Sequence, residues 1–541
     1  MSKKTFFQGA VILGVAGLII KVLGAVFRIP LANIIGDTGM GYYQTAYPVY
    51  VLLLTLSTAG IPVAISRMVA ERNAVGDLNA AYRVFQVSFR LLLLIGLASA
   101  AVLFLGAEAI VDHLGNKGAA FAMKAVAPAL LFVPMMAAFR GYFQGAQDMK
   151  PTAVSQITEQ LFRVAVGLSL AVFLVTKGVK YAAAGASFGA TAGAIGGLIA
   201  VVFVFLRRRN KIREGLSPDT SKTQEKSGAI LSQILIIAVP ITIGAAIMPI
   251  MNTIDVGIVI NRLSDTGFTA EEANSLYGQL TGMAGPLINF PQVLTQAISM
   301  SLVPAVAAAY KQRDMEFLHH NVELGLRTAL LLGLPCGFGL MTLSQPIMLL
   351  LYPAQKESAM NAAPSLFILA FGVIFLASVQ TLTGVLQGVG KQLIPVRNLA
   401  VGAGAKIVVT YILTGIPSIN IKGAAIGTVT AYIVAAVLNL LAVRQATGTK
   451  FNLSLTVGKP VLAGLTMSAV VFATYHLCRM LLEDILPQGS LGNAVSAAVS
   501  IGLGALVYGI MLLVLKAITA EEIRLMPKGE KLAKILERYQ K

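Results

Sequence analysis

The chain has no tryptophan, two cysteines and four histidines among 541 residues, and only 12% of it is charged. A soluble chain would carry about 25% charged residues. At 12% the charge is too sparse to cover the surface of so large a soluble body, so water is not its main solvent. Cys336 and Cys478 both lie inside apolar runs, which excludes a disulfide framework and a CxxC metal site. His113, His319, His320 and His476 have no HExxH pattern and no carboxylate company, so no metal site is expected. The absence of tryptophan, and of an acidic pair beside aromatic sugar platforms, argues against a glycosyltransferase. The stretch from Gly388 to Lys391 resembles a P-loop but lacks its first glycine and the hydroxyl residue after the lysine. ATP binding is rejected, and no cofactor is expected.

What the chain has is apolar length. It is 56% hydrophobic with a mean hydropathy of +0.77. A helix needs roughly 20 mostly apolar residues to cross a hydrocarbon core of about 30 Å. That criterion predicts an all-α polytopic membrane protein of about fourteen transmembrane helices, near 9–35, 44–66, 85–110, 119–143, 153–176, 181–206, 230–260, 277–309, 322–348, 362–387, 395–416, 423–443, 459–481 and 490–516. Residues Met1 to Phe7 carry two lysines without a small-residue cleavage site after the following apolar run, which reads as a retained first helix.

The net charge of +18 is not a nucleic-acid signature, because the basic residues form no stripe interleaved with aromatics. They collect between the apolar runs. With the N-terminus inside, 28 of the 42 Lys and Arg fall in cytoplasmic segments and 7 outside, the other 7 lying within or at the ends of helices. This asymmetry predicts a cell-membrane protein with both termini cytoplasmic.

The longest polar stretch, 207–229, reads as a cytoplasmic linker between an N-lobe, 1–206, and a C-lobe, 230–446. Two further helices fill 447–518. The end, 519–541, offers a capping box from Thr519 to Glu522 and an apolar face of Leu532, Ile535, Leu536 and Tyr539. It reads either as a helix on an anionic leaflet or as a solvated tail.

The two six-helix lobes echo each other. Gly141, Gln144, Gly145 and Pro151 recur as Gly384, Gln387, Gly388 and Pro395, and Gly185 and Gly189 recur as Gly423 and Gly427. Pro48 and Pro62 correspond to Pro291 and Pro304. These matches keep one order and nearly one shift, which points to duplication. Six helices per lobe makes the repeat parallel, with a site expected between the lobes.

A lysine or arginine at a helix centre costs roughly 2.5–3.5 kcal/mol on insertion scales. Lys21, Arg28, Arg163 and Lys406 must therefore face protein, water or a ligand. Lys21 and Arg28 are seven residues apart and share a helix face, and Lys406 is the repeat counterpart of Arg163. These four are the candidate substrate-binding cations. Arg163 has Glu159 four residues before it, an arrangement that also suits a purely structural pair. Arg28 lies near the end of its helix and can snorkel. Asp255 is a lone acid, either a cation-coupling site or a partner for a cation across the cleft; Glu159 is the second coupling candidate. Gln292 and Gln296 share a face and suit either sugar hydroxyls or helix–helix hydrogen bonds.

The runs KVLGAVFRIPLANIIGDTGMGYY (21–43), GIPVAISRMVAE (60–71), GYFQGAQDMKPTAVSQITEQLFRV (141–164) and NTIDVGIVINRL (252–263) carry a resemblance over essentially the whole length. The chain resembles the multidrug/oligosaccharidyl-lipid/polysaccharide exporter superfamily, in its SpoVB/YtgP-type polysaccharide-export branch from spore-forming and related Gram-positive bacteria. The resemblance implies two six-helix lobes around a V-shaped cavity, with two C-terminal helices that line a lipid-tail groove in lipid II flippases of the MurJ type. Lys21 matches a basic position of those flippases. Their next cavity arginine and the aspartate after it align with Phe27 and Arg28, and a first-loop aspartate with Tyr43. Cationic character is kept and its placement is displaced by one residue.

The expected activity is flipping of a polyprenyl-pyrophosphate-linked cell-wall precursor, lipid II or another undecaprenyl-linked polysaccharide unit, by alternating access. Its partners would be the lipid-linked oligosaccharide pyrophosphate, membrane lipid, and a coupling cation or the membrane potential. The alternative is a cation-coupled multidrug exporter, which would favour an acid in helix one where this chain has Lys21 and Arg28.

Overall fold

The computed structural model describes residues 3–210, 225–482 and 490–518. Most of the linker and the whole 519–541 segment, with its capping-box and surface-helix readings, lie outside the described residues. Within them every element is helical and there are no strands.

Among the described residues thirteen segments are long and apolar enough to cross a membrane. The first, Ile12–Ala74, runs for 63 residues, and at 1.5 Å per residue that is about three times a 30 Å core. Gly36 breaks it. Its φ of 67° and ψ of −174° interrupt helix α1 (Lys3–Thr58) with a backbone conformation essentially reserved for glycine. Counting the two arms of α1 separately gives the fourteen spans that hydropathy predicts.

The second arm starts directly after Gly36, earlier than the apolar run suggests. Its small and polar first residues find partners inside the protein. Asp37 accepts from Ser275 Oγ at 2.7 Å and from Gln279 Nε2 at 2.8 Å, and Asn274 Nδ2 donates to the Thr38 carbonyl at 2.8 Å. Asn116 Nδ2 donates both to Thr45 Oγ1 and to Asn274 Oδ1, each at 2.7 Å. Thr45, Asn116, Asn274 and Gln279 are all buried. Buried polar groups are tolerable when they are bonded to one another, and this network lets a polar stretch sit within a membrane helix.

The chain forms two compact units, Met1–Gly282 and Met283–Lys541. The first contains α1, α2 (Ile61–Ala74), α3 (Leu78–His113), α4 (Ala120–Val126), α5 (Ala129–Gly145), α6 (Lys150–Val175), α7 (Val179–Arg207), α8 (Ser227–Asp265) and α9 (Ala270–Gly278). One of its cores joins Ile65, Met68, Phe85, Met136, Phe139 and Ile230. The second contains α10 (Gly285–Gln312), α11 (Met315–Thr342), α12 (Ser344–Leu351), α13 (Lys356–Gly388), α14 (Leu393–Thr414), α15 (Lys422–Thr447), α16 (Lys459–Leu482) and α17 (Ser490–Val514). One of its cores is built on Leu302, Leu318, Leu382 and Leu386, and another on Met467, Val471, Tyr508 and Leu512. Compactness and the sequence repeat divide the chain differently, because one follows packing and the other follows the echo of residues.

The repeat is visible in packing within each unit. A Cβ on Gly141 would lie 3.0 Å from the Pro62 carbonyl oxygen, and one on Gly145 2.6 Å from that of Ser66. In the second unit Gly384 and Gly388 meet the carbonyls of Ser299 and Val303 in the same way, at 2.8 and 2.9 Å. Glycines four apart on one helix thus seat on carbonyls four apart on its neighbour in both units. Small residues allow this approach.

Described residues on either side of the polar segment bond to side chains elsewhere in the first unit. Arg208 donates to Asp148. Arg72, at the end of α2, donates to Glu225 at 2.5 Å and to Gln233 at 3.3 Å.

Candidate functional site

The first arm of α1 places Lys21 exposed and Arg28 half-buried. The guanidinium of Arg28 lies 6.0 Å from the centroid of the Tyr47 ring, a cation–π contact. Tyr47 belongs to a ladder on the second arm. Its ring stacks on Tyr43 at 5.9 Å and leans on Tyr50 at 6.0 Å, and Tyr43 in turn meets Phe27 at 6.1 Å. The spacing of 43, 47 and 50 follows one helical face. Tyr43 and Tyr50 are buried and Tyr47 is half-buried.

Arg163 reaches the same ladder from α6. Its guanidinium is within electrostatic reach of Tyr43, Tyr47 and Tyr50. The expected pair with Glu159 is present but long, at 3.5 Å. Glu159 has a second and closer guanidinium: Arg140 of α5 donates to its other oxygen at 3.0 Å. Arg140 Nε also donates to Ser155 Oγ at 2.8 Å. Arg140 lies inside α5 with its side chain only 14% exposed, so that one carboxylate serves two arginines. The triad carries one net positive charge, and Arg28 adds another nearby.

The rotation of α6 is set by α7. Gly193 and Gly189 press on the carbonyls of Glu159 and Arg163, where a Cβ would come within 2.5 and 2.7 Å. No larger residue permits that approach, so these two glycines determine where Glu159 and Arg163 point.

Lys406, Gln292 and Gln296 belong to the second unit. Lys406 is half-buried on α14, and Gly427 of α15 lies against its carbonyl as Gly189 lies against that of Arg163. Gln292 is half-buried and Gln296 exposed on α10. The bonds from that helix to α13 come from Thr295, which donates to the Gln380 side chain, and Ser299, which donates to the Gln380 carbonyl at 2.7 Å. Asp255, half-buried on α8, has the hydroxyl-bearing ring of Tyr277 in its electrostatic surroundings. Among the described residues no group of three or more His, Cys, Asp or Glu side chains is arranged to hold a metal.

Sequence reasoning missed Arg140 and the tyrosines. The tyrosines left a signal, since Tyr42, Tyr43, Tyr47 and Tyr50 fall within nine residues of a chain with 15 in all. Arg140 left none, because its distance from Glu159 is nineteen residues and spans a turn.

A family model described as polysaccharide biosynthesis protein matches residues 6–310, and a MatE model matches residues 279–412. The chain is 30% identical over 538 residues to the uncharacterized membrane protein YabM of Bacillus subtilis (strain 168), covering 98% of this chain and 97% of that protein. It is 28% identical to stage V sporulation protein B of the same organism, over 97% of this chain and 98% of that protein. It is 27% identical to the lipid II flippase MurJ of that organism, over 94% and 95%. Among solved structures, lipid II flippase MurJ in an inward closed conformation matches with a TM-score of 0.67 at 15% identity, covering 93% of this chain and 98% of that one. An inward-facing multidrug resistance transporter of the MATE family gives 0.66 at 15% identity, over 79% and 94%. These likenesses show the fold of a multi-pass membrane transporter.

Proposed function

The chain belongs to the polysaccharide biosynthesis protein family, in the SpoVB-type branch of the multidrug/oligosaccharidyl-lipid/polysaccharide exporter superfamily, and from that membership we propose that it flips a polyprenyl-pyrophosphate-linked cell-wall precursor between leaflets. It acts as a transporter and not as an enzyme. Lipid II is the first candidate, on the full-length similarity to a lipid II flippase; another undecaprenyl-linked saccharide is the second, on the equal similarity to a sporulation protein.

The observation that carries the reading is the positive charge gathered at the tyrosine ladder. Arg28 and the Arg140–Glu159–Arg163 triad bring net positive charge to helices with long apolar runs. In low dielectric such charge calls for an anion, and a pyrophosphate supplies it. Lys21 is assigned to the same headgroup, and Lys406, of the second unit, is proposed as a further cation for the lipid-linked substrate. Gln292 and Gln296, also of the second unit, are assigned to the sugar hydroxyls of that substrate.

Glu159 has both oxygens engaged by guanidinium groups, so its role is counter-charge. Coupling to a cation or to the membrane potential is assigned to Asp255. The protein works by alternating access from the inner to the outer leaflet, with both termini in the cytoplasm, an orientation supported by the basic-residue asymmetry.

The deciding experiment is depletion in the native host, followed by identification of the lipid-linked intermediate that accumulates on the inner leaflet. Accumulation of a polyprenyl-pyrophosphate saccharide supports the proposal and names the substrate. Normal turnover of all such intermediates, with altered drug efflux instead, would replace it with the multidrug-exporter reading.

A further inference from the structure

Glu159 divides its two oxygens unequally. Arg140 holds Oε2 at 3.0 Å, with its Nε anchored on Ser155, while Arg163 touches Oε1 only at 3.5 Å. The carboxylate is thus paired mainly with Arg140, across two helices, and only weakly with the arginine one turn away on its own helix. Arg163 shares that carboxylate with a closer guanidinium, so the two arginines together keep one positive charge uncompensated. The buried Nε of Arg163 has no hydrogen-bond partner among the described residues, and neither does the buried hydroxyl of Tyr50. Unmet donors beside an undercompensated guanidinium describe a group built to receive an acceptor, since buried polar atoms are otherwise almost always bonded.

We propose that Arg140 is a positioning residue that holds Glu159 away from Arg163, and so keeps Arg163 available to an anionic headgroup. This rests on the assignment of Arg163 to that headgroup site. Without Arg140, Glu159 has no competing cation among the contacts of the triad and closes on Arg163 as an ordinary pair at spacing i, i+4. The net charge of the group then falls from one to zero, and a bidentate carboxylate takes the donors that the phosphate oxygens would use. Arg140 never needs to touch the ligand. Its effect passes entirely through Glu159, and this gives the proposal a signature that loss of folding cannot imitate.

The test uses the full-length protein purified in detergent, with farnesyl pyrophosphate as the probe and the intrinsic tyrosine emission of this tryptophan-free chain as the signal. Arg140→Gln should weaken binding by about tenfold, the scale of one charge-assisted contact. The double variant Arg140→Gln with Glu159→Gln should recover to within about threefold of wild type, because the carboxylate that captured Arg163 is gone. Arg140→Lys, which keeps the charge, should fall between wild type and Arg140→Gln.

A double variant as weak as Arg140→Gln alone, with both eluting as folded protein, would overturn the positioning role. Loss of binding in Arg163→Gln with none in Arg140→Gln would overturn it too, while sparing the headgroup site. Wild-type binding in both single variants would remove the headgroup assignment of Arg163 as well.

Discussion

Gln44 donates its side-chain amide to the carbonyl of Thr281 at 2.6 Å, inside the π-helical turn Gln279–Ala284. A π-turn carries one residue more than an α-turn, which disturbs the hydrogen-bond ladder around it. A second carbonyl of the same turn, that of Met283, accepts from the buried Tyr352 hydroxyl at 2.9 Å. The boundary between the two compact units falls between these two carbonyls. Gln44 serves the carbonyl on the first side, and Tyr352 the one on the second.

Removing either donor should leave a buried carbonyl short of a partner. Gln44→Ala and Tyr352→Phe are each expected to lower stability by about 1–3 kcal/mol. Thermal denaturation of the purified protein reads the loss, and an unchanged midpoint in both would show that the turn does not depend on these side chains.

Gly193 and Gly244 should respond in opposite ways to the same change. Gly193→Ala drives a Cβ against the Glu159 carbonyl, whereas Gly244, on α8, has nothing within 4 Å of an added Cβ. Overpacking costs about 1–3 kcal/mol, and an alanine at an open helix position gains about 0.5–1 kcal/mol over glycine. Melting of the two variants side by side checks the contrast. Equal behaviour would mean that α7 can slide away from α6 without penalty.

Charge at Lys21 and Lys406 should matter more than shape. Alanine at either position is expected to abolish complementation of a strain depleted of its native flippase, with protein level and membrane insertion unchanged. Arginine should retain more activity than glutamine, because Coulomb attraction survives the change of geometry. Growth with normal precursor turnover in the double alanine variant would remove both lysines from the proposed substrate contacts.

Orientation can be read by thiol labelling in a background where Cys336 and Cys478 are replaced. Val75, 76% exposed between α2 and α3, should be shielded from an impermeant reagent in intact cells when changed to cysteine. A cysteine at Asp265, the last residue of α8, should be labelled. The reverse pattern would invert the protein in the membrane.

Hydropathy alone determined that this chain lives in a membrane and how many times it crosses, because the tolerance of a helix for lipid is a local sum over about 20 residues. The repeat was legible for a related reason: glycine spacing is written along one helix, and Gly141 with Gly145 and Gly384 with Gly388 do the same job in each unit. The candidate cations Lys21, Arg28, Arg163 and Lys406 could be named because a charge is conspicuous in any apolar run. What those charges meet was decided by tertiary structure. Whether Glu159 belongs to Arg163 or to Arg140 depends on how far α5 and α6 are rotated about their axes, and Gly189 and Gly193 of a third helix set that rotation. The polar residues after Gly36 became part of a spanning helix only because Asn116, Asn274, Ser275 and Gln279, far along the chain, supply their hydrogen bonds. A helix face is a one-dimensional pattern, but the neighbour it packs against is a property of three helices at once.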